Sequence, residues 1–85
     1  MRLQLIKHVS NFIQEHDQDW VVETLELLED ICDARGIKDE ELDVIGELMS
    51  NLEGALEVEK LIKEEGLTQK DALNTFMKRV STIGQ

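Results

Sequence analysis

Two histidines, one cysteine and a dense run of carboxylates are the residues of this 85-residue chain whose types could do chemistry. His8 and His16 lie eight residues apart, too far along a helix to grip one ion together, and neither belongs to a His-x-x-x-His or Glu-x-x-His pair. Glu23, Glu26 and Glu29 recur every three residues, but without a histidine partner they read as a solvated helix face. The stretch Ile31 to Leu42 places Gly36 where a calcium loop needs glycine. Ile31 and Leu42 then stand at the two ends, where carboxylates are required. Cys32 lacks the cationic neighbours or helix N-terminus that make a reactive thiolate, so it reads as structural, and being single it closes no internal disulfide. No Asp-Ser-Leu segment is present to carry a prosthetic group, as an acyl carrier protein would need. With no nucleophile–base pair, metal cluster or phosphate loop, the sequence predicts a non-enzymatic protein with no catalytic, cofactor-binding or metal-binding residues.

The pattern that stands out is instead steric. Gly46, Ser50 and Gly54 follow one another at intervals of four within a long helical pattern. They are flanked by Asp43, Glu47, Glu53 and Glu57. Glycine inside an exposed helix costs about 1 kcal/mol relative to alanine, so two of them in mid-helix predict close approach of another helix. That helix belongs to the same chain, to a second copy crossing at the notch, or to a different partner protein. In the second case Leu48, Ala55 and Val58 would supply apolar contact beside the small residues. Glu53 and Glu57 oppose self-pairing, because like charges would face each other.

The elements that would position these residues are four helices. Leu5, Ile6, Val9, Phe12 and Ile13 predict a first helix over about 3–15. Asp17 or Asp19 can cap a second over about 20–34, whose core stripe is Val21, Leu25, Leu28, Ile31 and Cys32. Trp20, in its first turn, is expected to cover one end of the core. Gly36 is expected to end this helix in the left-handed conformation. Asp39, Glu40 and Glu41 then begin a third helix over 39–65, where acidic residues suit the N-terminal dipole. Leu42, Ile45, Met49, Leu52 and Leu56 form one apolar stripe on it. Val44, Leu48, Ala55 and Ile62 form a second, which makes this helix central. Gly66 ends it, and Thr68, with Asp71 three residues on, caps a fourth over about 69–81. The fold expected is all-α: a compact antiparallel four-helix bundle with a long central third helix, one domain over residues 1–85.

Charge narrows the partners. The net charge is −10, and residues 15–65 carry 18 acidic residues against 4 basic ones. Such a chain has no basic footprint for nucleic acid. No apolar run is long enough to span a membrane, and Met1 to Ser10 does not resemble a signal peptide, which predicts a cytoplasmic location.

The run ELDVIGELMSNLEGALEVEKLI, Glu41 to Ile62, together with HDQDWVVETLELLE, His16 to Glu29, resembles a small family of short acidic bacterial proteins with no assigned function. The resemblance implies an all-helical fold and carries no activity or ligand. The expected function is a protein–protein interaction or assembly module, self-associating as a homodimer through Gly46, Ser50, Gly54, Leu48, Ala55 and Val58. The alternative is an acidic inhibitor or immunity-type protein that masks a basic enzyme surface with Glu23, Glu26, Glu29, Asp30 and Asp33.

Overall fold

The computed structural model describes residues 1–83, which form four helices: α1 Leu3–Glu15, α2 Gln18–Cys32, α3 Asp39–Glu65 and α4 Gln69–Ile83. The chain is all-α, and α3, at 27 residues, is the long central element that every other helix contacts. A helix of that length spans about 40 Å, twice what α1 can cover. The consequence is an asymmetric α3. Its buried residues, Asn51 to Leu61, all lie in the second half, and none lies between Asp39 and Ser50.

Local sequence sets each boundary. Asp17 caps α2, its carboxylate accepting the backbone N–H of Asp19. α2 therefore starts two residues before Trp20. It ends at Cys32, short of Gly36, which has φ of 90° and turns the chain inside the connection to α3. Gly36 is thus a turn residue and not the helix terminator expected. The entry to α3 is fixed by the Lys38 N–H donating to the Glu41 carboxylate at 3.0 Å. Gly66 takes the left-handed conformation that ends α3, and Thr68 Oγ1 accepts the Asp71 N–H at the start of α4.

Ile6 and Ile13 of α1, Val21 of α2, the buried apolar residues of α3, and Leu73 and Phe76 of α4 make one core. Among the described residues, the backbones of α2 and α4 do not approach each other, so both lean on α3 and the assembly is flattened. Its extents are 44 × 34 × 18 Å and its radius of gyration is 13.8 Å, against about 12 Å for a compact chain of this length. The bundle expected as compact is a flat one. Trp20, expected over the core, is 61% exposed.

Polar bonds inside the core fix how α1 lies on α3. The Arg2 backbone N–H donates to Asn51 Oδ1 at 2.8 Å, and the Ser10 hydroxyl donates to Glu59 Oε1 at 2.6 Å. Both pairs are 49 residues apart, so α1 runs parallel to α3 in a single register, as alternating antiparallel neighbours require. Gln14 Nε2 also donates to Glu59 Oε1, and Gln69 Nε2 of α4 donates to Ser10 Oγ and to Asn11 Oδ1. Glu59 is 3% exposed, yet among the described residues no buried side-chain N or O atom is left without a partner. Satisfaction of that kind is what makes a buried polar group tolerable and register-specific. Glu59→Ala leaves the Ser10 hydroxyl without its acceptor in the core and should cost about 2–3 kcal/mol. Glu59→Gln keeps an acceptor oxygen and should cost about 1 kcal/mol. Urea unfolding of the two variants checks the order.

Candidate functional site

The small-residue row does not form one face. Four residues advance about 40° beyond a full helical turn, so Gly46, Ser50 and Gly54 drift around α3 rather than stacking. Gly54 reaches the core. A Cβ built on it would meet Ile6 Cδ1 at 3.1 Å and two atoms of the Phe76 ring at 3.2 Å, so this glycine admits α1 and α4 of the same chain. Ser50 is half-buried. Gly46 is exposed and faces open space. Ala55 and Val58 have no exposed surface. Of the six residues expected to make an intermolecular contact, Gly54, Ala55 and Val58 are therefore enclosed by their own chain. Gly46, Leu48 and part of Ser50 remain at the surface. The five carboxylates of the alternative interface, Glu23, Glu26, Glu29, Asp30 and Asp33, are all exposed.

The Ser10–Glu59 pair has the distance of a nucleophile and its base, but Ser10 has no exposed surface and its oxygen lies between Glu59 and Gln69. No substrate carbonyl can reach it, so the pair is a core contact. Among the described residues no three His, Cys, Asp or Glu side chains converge as a metal site would require. Cys32 is half-buried, and His16 closes α1 with its ring 4.4 Å from that of Phe12.

What the fold leaves open is apolar. α1 and α2 meet near their turn, where His8, Val9, Phe12, Trp20, Val21, Thr24 and Leu52 line a cavity of about 220 Å³. That volume is below the usual range for a small-molecule site and close to that of one large side chain. Past this point the seam between α2 and α3 continues without a cover. On α3, Val44, Leu48, Asn51, Ala55 and Val58 follow one another at steps of four, three, four and three, and so share one face. α1 seals that face from Asn51 onward, because Arg2, where α1 begins, is bonded to Asn51. Val44 and Leu48, two turns and one turn earlier, are 63% and 39% exposed. On α2, Trp20, Thr24, Leu27 and Ile31 follow a corresponding edge, and Leu27 is 60% exposed.

The margins of this surface are acidic. Glu23 and Asp30 stand four before and three after Leu27. Glu40 and Glu47 stand four before and three after Val44. Helical neighbours at these spacings are adjacent on the surface. All four are exposed, and among the described residues none is in an ion pair; Arg79 pairs with Glu65, at the far end of α3. Sequence reading marked Leu48 and the α2 carboxylates but missed Val44, Leu27 and Trp20 as surface residues. The signal available was length: an apolar stripe on a 27-residue helix outruns a 13-residue partner.

Fold and site together define an all-helical protein with a sealed polar interior and an uncovered apolar seam. The chain belongs to a family of unknown function (DUF6952), whose model matches residues 1–83. No curated protein and no solved structure matches it. No helix among the described residues is long and apolar enough to cross a membrane.

The two glycines should respond oppositely to substitution. Gly46→Ala meets open space and should stabilise the protein by about 0.5–1 kcal/mol through helix propensity. Gly54→Leu forces extra carbons against Ile6 and Phe76 and should destabilise it by about 3 kcal/mol. Thermal melts of the two variants give the comparison directly.

Proposed function

We propose that this protein is a non-enzymatic protein–protein interaction module whose docking surface is the uncovered seam of α2 and the first half of α3. One observation carries the reading. The face of α3 that α1 covers from Asn51 onward is bare at Val44 and Leu48, with exposed Leu27 and Trp20 on the neighbouring helix. Contiguous exposed apolar surface with a polar rim is the usual mark of a protein contact site. Exposed tryptophan beside a cavity of side-chain size suits an anchor contact.

Self-association through Gly46, Ser50 and Gly54 loses support, since Gly54 is occupied by Ile6 and Phe76. A homodimer through the bare seam instead would bring Glu23, Asp30, Glu40 and Glu47 of two copies together. Like-charge contact weakens such pairing most at low salt. The inhibitor-type reading shares only Glu23 and Asp30 with this surface; Glu26 and Glu29 lie farther round α2, and Asp33 lies past its end. A cytoplasmic setting is part of this proposal; no helix among the described residues is long and apolar enough to cross a membrane.

Site-specific photocross-linking in the cells that make the protein tests the surface. A benzoylphenylalanine introduced at position 27, 44 or 48 should yield a discrete adduct. The same probe at position 74, which is exposed on α4, should yield none. Adducts absent from all three seam positions, or equal at position 74, would remove the reading.

A further inference from the structure

We infer that the occupant of this seam is a basic amphipathic helix of about three turns. The inference rests on the docking-surface reading above and adds the chemistry and size of the partner.

Length comes from the fold. The part of α3 that α1 leaves uncovered runs from Asp39 to Ser50, twelve residues, which at about 1.5 Å per residue is roughly 18 Å. A helix of similar length would take on the first half of α3 the place that α1 holds on the second. Apolar contact would come from Val44 and Leu48 beneath it and Leu27 beside it. One large apolar side chain at its end fits the cavity between Phe12, Trp20 and Leu52. Docking an amphipathic helix into a groove by anchors three and four residues apart is a common mode of peptide recognition.

Charge selects the sign of the partner. α2 and the first twelve residues of α3 together hold ten carboxylates and no lysine or arginine. Glu23, Asp30, Glu40 and Glu47 flank the apolar positions, are exposed and have no ion-pair partner among the described residues. A helix bearing lysine or arginine on either side of its apolar stripe would meet them all. A second copy of this chain would bring carboxylates to carboxylates. Electrostatic complementarity of this kind governs partner choice and association rate more than it governs raw affinity.

The test uses the full chain and Trp20, its only tryptophan, whose emission should shift to the blue when its exposed ring is covered. The probes are three 14-residue amidated peptides. One is leucine and lysine with leucines at helical spacings of three and four. The second has glutamate in place of every lysine, and the third has serine in place of every leucine. The leucine–lysine peptide is expected to bind and to weaken as salt rises. Leu27→Ser with Leu48→Ser should reduce its affinity at least about tenfold, as loss of two apolar contacts requires. Glu23→Gln, Asp30→Asn, Glu40→Gln and Glu47→Gln together should reduce it about tenfold and flatten its salt dependence. All six positions are exposed, and circular dichroism should show each variant folded.

Equal binding of the leucine–glutamate peptide would overturn the basic chemistry while leaving the docking surface standing. Equal binding of the serine–lysine peptide, or indifference to the leucine substitutions, would reduce the effect to unspecific attraction and overturn the inference. A salt-insensitive dimer by light scattering that excludes every peptide would assign the seam to a second copy and overturn it as well. Failure of all three peptides alongside seam adducts in cells would reject the basic helix alone. Failure of both experiments would reject the docking surface too.

Discussion

One short stretch of α3, Asn51 to Leu61, holds the protein together, and the polar bonds made there decide where everything else goes. Hydrophobic burial is non-directional and leaves α1 some freedom to shift along α3, limited by the seat of Ile6 on Gly54. The Arg2–Asn51 and Ser10–Glu59 hydrogen bonds remove that freedom, because a slip in either direction would strand a buried hydroxyl and a buried carboxyl group. Gln69 ties the start of α4 to the same point through Ser10 and Asn11. The place where α1 begins, and hence the amount of α3 left uncovered, follows from this register.

The surface is therefore a product of the core. α3 is long and α1 is short, and α1 is fixed toward the C-terminal end of α3. Gly54 allows the packing to be close, as the contacts of its missing Cβ with Ile6 and Phe76 show. At the other end of α3 only half-buried residues such as Leu42, Ile45 and Met49 are covered, and Val44 and Leu48 are left in solvent. Around them stand the exposed carboxylates Glu40 and Glu47.

Much of this was legible from residue spacing. The bounds of α1 and α3 follow from apolar periodicity, the glycine after Glu65 and the acidic first turn of α3. Asp17 and Thr68 act as caps, as their side chains allow. The start of α2 was misplaced because Gln18 and Asp19 carry no apolar signal, although the Asp17 cap admits them. The buried polar residues were harder. Ser10 sits between Ile6 and Ile13 at steps of four and three, and Glu59 follows Leu52 and Ala55 at steps of three and four. Both lie on apolar faces by spacing alone, and residue type hid them. The small-residue row misled for a different reason. A spacing of four looks like one face over two steps but rotates by about 80° over them, enough to carry Gly54 into the core and leave Gly46 outside.

The unequal burial of α3 has a dynamic side as well. Its second half is enclosed by α1 and α4 in addition to α2, while Asp39 to Ser50 has no fully buried residue to anchor it. Helix with only partial tertiary cover opens at lower free-energy cost than the core. Backbone amides of the first three turns of α3 would then exchange with solvent through brief local openings, while those from Asn51 to Leu61 would exchange only when the whole domain unfolds. A partner resting on Val44 and Leu48 would slow that fraying, so part of its binding energy would appear as added helix stability at a segment that is otherwise the first to melt.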